Sequence, residues 1–431
     1  MNLSPQRLQR WATLLGTYFF GQGATQVIQL ICGFLLINLL SKEAYATFTI
    51  VMAIQSTSSM MVELGFTQAM VSLIGKRVNN PSVVGRYAKA CFYYRDRMLL
   101  IGALVLLVVF YVCAGKYGWE SGLWVLLWFV VVLSLIFRCW DSIYASVFLL
   151  RQEIRTVYLV RGSAGLVRLS CIGLSYVLGV LTAPLALLIG TIHEFIIGYR
   201  NRQLVKPGIH FPEKGEDISH EKRELLSQSL PRAPSIAFFA FEGQITIFLI
   251  GIFGALSAVA EVGALGRLGM LFVVLNRMGG VLVSPHFAKL ESHQVPRRVA
   301  FCLGVTALVS LVIAASGYFF PQLFLLVLGA KYQHLQFEVF LVVSASAARL
   351  LDFYTYSICI ARKYIYSWFS IADIVPLVLA MIAATMILDL SSLRGILYFS
   401  LTMVVVRFLT KLCILAIGLS RETQKPDSAA A

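Results

Sequence analysis

Charged side chains are scarce in this sequence, and the scarcity limits what the chain can be. Only 13% of its 431 residues are charged, 58% are hydrophobic, and the mean hydropathy is +0.80. Soluble domains carry about a quarter charged residues, which form the surface that water contacts. The composition therefore excludes a soluble enzyme, a collagen, a disordered chain and a disulfide-rich scaffold. It indicates a polytopic membrane protein.

Patterns typical of metal or redox sites are also missing. The eight cysteines contain no CxxC pair and most stand inside apolar runs, so we interpret them as small buried apolar residues. The six histidines show no ligand spacing. The first ten residues lack the short apolar core and small-residue cleavage site of a signal peptide. We expect no metal, no cofactor and no cleaved leader.

Long apolar runs are what the sequence has in abundance. A helix needs about 20 apolar residues to cross a bilayer. The ten-residue alternation of a membrane β-barrel is absent, so the predicted fold class is an all-α polytopic membrane protein. We predict twelve spans: 11–39, 44–74, 98–115, 121–149, 157–179, 183–199, 234–255, 259–286, 299–320, 335–360, 364–388 and 395–419.

Lys and Arg are distributed unevenly between the predicted loops. With the N-terminus inside, the inner segments hold 24 of these bases and the outer loops only 4. Cytoplasmic loops are enriched in Lys and Arg, so both termini are predicted to be cytoplasmic. The same bias accounts for the net charge of +15 without a nucleic-acid partner.

The longest predicted connection, 200–232, divides the spans into two sets of six. The pattern R-x2-D-x4-S-x4-R occurs at 138–151 and again at 349–362, an offset of 211. We therefore predict two pseudo-symmetric six-helix bundles, 1–207 and 232–431, joined by a cytoplasmic linker, 208–231. Such duplication is common in alternating-access transporters, although a duplicated scaffold without transport remains an alternative.

A second inner segment, 81–97, has the pattern of an interfacial helix. Val84, Tyr87, Ala88 and Cys91 share one face and are expected to be buried. The bases of the segment are expected to point toward lipid headgroups; they are Arg86, Lys89, Arg95 and Arg97.

Fourteen of the charged residues inside predicted spans are candidates for a functional role. A centrally placed base costs about 2.5–3.5 kcal/mol on insertion scales, so these residues are expected to face an interior, which we interpret as a wet cavity. They are Arg138, Arg161, Arg168, Arg267, Arg277, Arg349, Arg407 and Lys411, with Glu63, Asp141, Glu194, Glu242, Asp352 and Asp373.

Their spacing suggests different roles. Residues three apart on a helix can pair, so Arg138–Asp141 and Arg349–Asp352 are either structural ion pairs or cavity-lining groups. The candidate substrate-binding residues are Arg168, Arg277, Arg161, Arg267, Arg138 and Arg349, together with the amide stripe Gln22, Gln26 and Gln29, which could equally join helices. The candidate ion-coupling residues are Glu63, Glu242, Asp141 and Asp352.

Three stretches carry a family resemblance. They are VELGFTQA at 62–69, running into IGK at 74–76, ALGRL at 264–268, and SPHFAKL at 284–290. Together they resemble bacterial polysaccharide flippases of the O-antigen type, the oligosaccharidyl-lipid branch of the multidrug/oligosaccharidyl-lipid/polysaccharide exporter superfamily. The resemblance covers the chain in span count and in the plan of six plus six spans.

The resemblance implies a non-enzymatic flippase of the bacterial inner membrane. Such a protein moves a polyprenyl-pyrophosphate-linked oligosaccharide across the bilayer for O-antigen, capsule or exopolysaccharide synthesis. Implied partners are the lipid-linked glycan, the bilayer, and the polysaccharide polymerase and chain-length machinery. The alternative is a small-molecule secondary transporter, either major-facilitator-like or a drug/cation antiporter. The loop 75–97 lacks the Gly-x-x-x-Asp-Arg/Lys motif of major-facilitator carriers. A membrane glycosyl polymerase would need larger outer loops.

Overall fold

The computed structural model describes residues 5–151, 153–213, 215–278, 283–288, 290–364 and 369–423. Within these ranges the secondary structure is helical and no strand forms. A helix satisfies its own backbone hydrogen bonds, which a lipid-exposed segment must do because the bilayer core offers no water. The predicted all-α polytopic class is confirmed.

The chain separates into two compact units, Met1–Ile245 and Thr246–Ala431. The predicted limits of the two six-helix bundles stay a prediction. The first unit contains α1 (Pro5–Leu39), α2 (Lys42–Glu63), α3 (Phe66–Ile74), α4 (Pro81–Tyr117), α5 (Ser121–Leu150), α6 (Ile154–Val177), α7 (Ala183–Val205), α8 (Ser219–Ser229) and α9 (Ala233–Glu242).

The second unit begins inside the next helix. Its helices are α10 (Ile245–Phe253), α11 (Leu256–Leu268), α12 (Val273–Met278), α13 (Ser284–Phe287), α14 (Val295–Phe319), α15 (Pro321–Leu328), α16 (Gln336–Ala361), α17 (Phe369–Ile387) and α18 (Leu393–Thr423). In this unit α16 packs against both α14 and α18. Gly317 allows the close approach of α14 to α16, because a Cβ there would lie 2.9 Å from Val343 Cβ.

The described residues of the predicted spans are mostly helical, and parts of 259–286 and 364–388 lie outside the described residues. Fewer helices qualify as membrane spans on their own. In the described residues, six helices are long and apolar enough to cross a membrane, and a pair bent by 51° could add a seventh. Both α7 and α16 coincide with predicted spans without being among the six. The count of twelve therefore stays a prediction.

The second predicted span, 44–74, is broken. Helix α2 ends at Glu63, and Leu64 and Gly65 adopt the left-handed conformation with φ of 38° and 77°. Glycine tolerates that conformation because it has no Cβ. Helix α3 then begins at Phe66. The predicted span 44–74 therefore consists of two helices, and the break leaves Glu63 at a helix end.

The predicted interfacial helix is the first part of a longer element. Helix α4 continues without a break from Pro81 into the third span. Its apolar face is buried as expected, with Val84, Tyr87, Ala88 and Cys91 each at most 3% exposed.

Two bases of this segment contact the linker rather than pointing toward headgroups. Arg86 Nε lies 2.5 Å from Glu221 Oε1, and Arg86 also pairs with Glu216. Lys89 Nζ donates to the carbonyls of Pro212 and Glu213, both at 3.1 Å. The linker is therefore docked on α4 along much of its length.

Candidate functional site

A polar cavity of about 280 Å³ lies among the helices of the first unit. Ten of its eleven lining residues are polar or charged. They come from α1, α2, α4, α5, α6 and α7, so six helices build one site. The lining residues are Gln29, Ser59, Glu63, Arg95, Arg138, Asp141, Ser142, Arg161, His193, Glu194 and Ile197.

Ion pairs between helices hold part of this lining. Arg138 on α5 donates from Nε to Glu194 Oε1 on α7 at 3.1 Å. Arg161 on α6 donates from Nη2 to Asp141 Oδ2 on α5, also at 3.1 Å. Asn201 on α7 donates to the other carboxylate oxygen of Asp141 at 2.8 Å. These contacts tie α5, α6 and α7 together around the cavity.

Arg138 and Asp141 on α5 do not have the ion-pair partners that the sequence suggested. The i,i+3 spacing predicted that Arg138 and Asp141 pair with each other, whereas each ion pair found here reaches another helix. Both residues line the cavity, as the other interpretation of the spacing expected. Side chains on neighbouring packed helices meet at the buried face, and sequence spacing along one helix cannot show such contacts.

Arg95 is the lining residue that sequence analysis misplaced. The segment 81–97 was expected to point its bases toward headgroups, but Arg95 is only 2% exposed. Its Nη1 donates to Thr67 Oγ1 at 3.1 Å and to the hydroxyl of Ser142. A signal for this placement existed, because Arg95 follows Cys91 by four residues and so continues the buried face of α4.

Glu63 lies at the break in the second span and lines the same cavity. Among the described residues it takes part in no ion pair within 4.0 Å, unlike the other two carboxylates of the lining. Its half-buried carboxylate is therefore the acidic group of the cavity that is open to a ligand or a proton.

The three glutamines of α1 do not act as one wall. Gln29 lines the cavity. Gln22 accepts a hydrogen bond from the Tyr158 hydroxyl at 3.0 Å and so joins α1 to α6. Gln26 is buried, at 6% exposure, and is not among the lining residues. Gln22 therefore joins two helices by a hydrogen bond, which was one interpretation of the amide stripe. Gln29 lines the cavity, which was the other interpretation.

The remaining candidates lie elsewhere. Arg168 on α6 is half-buried and is not among the lining residues of the cavity. Arg267 at the end of α11 lies 3.9 Å from the sulfur of Met270. Glu242 is half-buried where α9 ends, and Arg349 is exposed on α16. Arg277 falls on α12, but its side chain lies outside the described part of the structure.

The second unit has its own buried charge cluster. Asp352 on α16 forms an ion pair with Lys411 on α18, at 2.8 Å from Lys411 Nζ, and lies 3.6 Å from Arg407 Nε. Asp373 on α17 is buried nearby and interacts electrostatically with the same two bases. The aspartate of the repeated motif therefore contacts bases of a later helix here, as Asp141 does in the first unit.

Metal binding has no obvious location among the residues that the structure describes. No group of three or more His, Cys, Asp or Glu side chains there is close enough together to hold an ion. The chemistry that the cavity offers is instead hydrogen bonding and charge pairing, from guanidinium, carboxylate, amide and hydroxyl groups.

Most of the chain shares its fold with solved transporters. An inward-facing multidrug resistance MATE family transporter of the MOP superfamily matches with a TM-score of 0.68 at 11% identity, covering 94% of this chain and 96% of its own. The lipid II flippase MurJ, in an inward closed conformation, matches with a TM-score of 0.57 at 11% identity, covering 95% of this chain and 88% of its own. A eukaryotic MATE transporter matches with a TM-score of 0.56 at 10% identity, covering 96% and 98%.

These matches confirm the resemblance to the exporter superfamily at the level of fold. No protein-family model and no curated protein matches the chain in sequence.

Proposed function

We propose that this protein is a flippase that moves a polyprenyl-pyrophosphate-linked oligosaccharide across the bacterial inner membrane, with both of its termini in the cytoplasm. The observation that carries the proposal is the hydrophilic cavity inside the first unit, where ten of eleven lining residues are polar. The fold shared with MATE transporters and with the lipid II flippase MurJ supports a role in transport.

The composition of the cavity favours a carbohydrate over a lipophilic drug. Pockets for drug-sized ligands are lined mostly by hydrophobic and aromatic side chains, with a few polar groups. The lining here is the reverse, and Ile197 is its one apolar member. Sugar hydroxyls can donate to Asp141 and Glu194 and accept from Gln29, so they can replace the water that a charged cavity holds.

The charge balance of the cavity suggests which part of the substrate it takes. Its three arginines face three carboxylates, and two of each are joined in the pairs Arg138–Glu194 and Arg161–Asp141. A neutral set of this kind suits uncharged sugar rings. The pyrophosphate needs positive charge, and we assign that role to Arg168 and Arg277, with Arg267 and Arg349 as further candidates.

The wider setting of the proposal follows from the same substrate. A flippase of this kind works between cytoplasmic glycan synthesis and assembly at the outer face. We therefore propose the polysaccharide polymerase and the chain-length machinery as its partners. Two six-helix bundles with limits at 1–207 and 232–431 are the proposed moving parts.

A small-molecule drug/cation antiporter is the second candidate. The observation that favours it is Glu63, a cavity carboxylate outside the ion pairs of the described residues, which could exchange a proton for a cationic ligand. Glu242, Asp141 and Asp352 were predicted for the same task. Of these, Asp141 and Asp352 are each already paired with a base.

Genetic complementation tests the proposal. Deleting the gene should abolish surface glycan and leave lipid-linked precursor on the inner leaflet, and the wild-type chain should restore display. The double variant Arg138→Gln/Glu194→Gln removes both charges of one cavity pair without leaving a lone charge, and it should not restore display. The matched control is Arg394→Gln/Glu338→Gln, which removes an ion pair of the second unit with a 2.8 Å contact. This variant should restore glycan display.

The same strains separate the two candidate functions. Normal glycan display in the deletion strain, together with new sensitivity to cationic drugs, would replace the flippase with the antiporter. Restoration of display by the Arg138/Glu194 double variant, at normal protein level, would remove the cavity from the mechanism.

A further inference from the structure

A second pocket, of about 690 Å³, lies at the C-terminal end of α7. Its lining residues are Tyr199, Arg202, Gln203, Lys206 and Pro207, none of which lines the polar cavity. None of them belongs to the candidate residues of the proposed transport function. The pocket therefore calls for an explanation of its own.

The pocket continues an exposed apolar stripe of α7. Leu188, Ile192, Phe195 and Tyr199 follow one another at intervals of three or four residues, and each is at least 38% exposed. Large exposed apolar side chains on a membrane helix face acyl chains. One turn beyond Tyr199 the stripe becomes polar at Gln203 and then basic at Lys206. The pocket thus lies where the lipid-facing surface of the helix ends.

Its walls combine bases with aromatic rings. The Arg202 guanidinium lies 5.0 Å from the ring centroid of Trp140 on α5, a cation–π distance. Arg202 and Lys206 are four residues apart and so lie on one face of the helix. Trp and Tyr are enriched where the acyl region meets the headgroups, and here Trp140 lies beside Arg202, while Tyr199 lines the pocket together with both bases.

The floor of the pocket is held in place. After α7 the chain makes a short 3-10 turn over Lys206–Gly208. Arg151 Nη2 donates to the Gly208 carbonyl at 2.8 Å and fixes that turn against the end of α5. Bases near a helix C-terminus also complement the helix dipole, but the dipole alone explains neither the concave pocket nor the aromatic partner.

From this arrangement we infer that the pocket binds the headgroup of an anionic glycerophospholipid. The phosphate accepts from Arg202, whose guanidinium can donate two parallel hydrogen bonds, and from Lys206. The acyl chains lie along the stripe from Tyr199 to Leu188. Lys and Arg side chains near a membrane surface attract anionic headgroups by this chemistry. The apolar stripe favours a lipid over a free phosphate ion, which would gain nothing from it.

The test measures lipid retention by the full-length protein. The chain is purified and placed in nanodiscs of phosphatidylcholine with a minor share of phosphatidylglycerol, and native mass spectrometry counts the lipids that remain bound. Each base near a membrane surface contributes about five-fold to the preference for an anionic lipid. Wild type should therefore prefer phosphatidylglycerol by about twenty-five-fold, and Arg202→Ala/Lys206→Ala should abolish the preference. Arg200→Ala/Arg223→Ala, which removes the same formal charge from exposed positions outside the pocket, should retain it.

A second readout locates the bound lipid. Brominated phosphatidylglycerol should quench tryptophan fluorescence more in wild type than in Trp140→Phe, and brominated phosphatidylcholine should show no such difference. Equal retention of the two lipids by wild type, or loss of retention in the control variant, would overturn the assignment. Displacement of the lipid by inorganic phosphate would reassign the pocket to a free anion. None of these measurements depends on flippase activity.

Discussion

The guanidinium of Arg161 lies 3.1 Å from the carboxylate of Asp141, although the two residues are on different helices and twenty positions apart. Asn201 on a third helix satisfies the other carboxylate oxygen. The helices α5, α6 and α7 therefore converge on one aspartate. Removing any of these partners should affect both the packing of the unit and the polar cavity beside it.

Arg161→Ala is expected to destabilise the first unit. It leaves Asp141 largely buried with Asn201 as its remaining partner among the contacts found here, and we expect a loss of about 1–2 kcal/mol, since Arg161 is itself about a third exposed. Thermal unfolding in detergent measures the change. Adding Asp141→Asn should recover most of the loss, and a double variant no more stable than the single one would contradict the ion-pair explanation.

Arg95→Ala should stop glycan display while the protein remains inserted. Arg95 is the buried guanidinium of the cavity whose contacts found here are both neutral hydroxyls, so its charge is not cancelled by a direct ion pair. The matched control is Arg97→Ala on the same helix, an exposed arginine that lies over the Tyr93 ring at 3.4 Å. The measurement is the amount of surface glycan in cells that contain equal levels of the two variants. An equal effect of both substitutions would argue against a role for Arg95 in the cavity.

Lys411→Met should destabilise the second unit strongly. The Lys411 side chain is only 3% exposed, and its Nζ lies 2.8 Å from Asp352 Oδ1. Breaking a buried pair by removing one partner costs about 3–5 kcal/mol because the other charge stays buried, and Arg407, which remains 3.6 Å from Asp352, offsets part of that cost. Lys411→Met/Asp352→Asn should be more stable than the single variant in a thermal melt. If the two variants melt at the same temperature, Asp352 does not depend on Lys411.

Gly85→Ala should release the linker from α4. A Cβ at position 85 would collide with the backbone carbonyl of His210, which cannot move without undocking the linker. Overpacking of this kind costs about 1–3 kcal/mol. Gly115→Ala is the control on the same helix, because a Cβ there has no neighbour within 4 Å. Hydrogen exchange of residues 206–232 should rise in the first variant and stay unchanged in the second.

The docked linker should loosen in acid. Hydrogen bonds from the Ser219 side chain and backbone lower the pKa of Asp217. Burial raises the pKa of Glu221, but the hydrogen bond from Arg86 and further favourable contacts outweigh it and leave that pKa lowered. Carboxyls with lowered pKa stabilise the folded state above their unfolded pKa, about 4, and the stabilisation is lost as pH falls through the folded value.

Limited proteolysis of the linker measures this effect. Cleavage should stay low between pH 7 and about 5 and rise below about 4. Glu221→Gln should make cleavage higher at neutral pH and reduce its dependence on pH. A linker that is equally protected at every pH would show that these carboxyls do not hold it.

Composition and apolar run length were enough to predict the fold class, because a bilayer accepts few kinds of backbone structure. The burial of Val84 and Cys91 also followed from helical periodicity. The break at Leu64 and Gly65 did not, since one glycine inside an apolar run is common in continuous membrane helices.

A polar cavity lined by intramembrane charges could be predicted from the sequence, but the full set of residues that line it could not. Intramembrane charge led to Arg138, Asp141 and Arg161, which line the cavity, since charges inside a membrane need an interior. It also led to Arg168, which lies on the same helix as Arg161 without lining the cavity. Arg95 was missed because its neighbours Asp96 and Arg97 are charged, although its spacing from Cys91 continues the buried face of α4. The packing of α3 and α5 against α4 brings Thr67 and Ser142 to its side chain.

The contacts between Arg86, Lys89 and the linker have a consequence for cutting the chain in two. Gly215 is exposed with φ of 101°, and it separates Glu213 from Glu216. A protease site at this position would sever the polypeptide, yet the new amino-terminal fragment would keep Lys89 and its carbonyl partners. The second fragment would carry Glu216 and Glu221, which pair with Arg86. Two polypeptides produced separately, one ending and the other beginning at Gly215, would therefore still contain the groups that join α4 to the linker. Through these contacts the two polypeptides can reassemble.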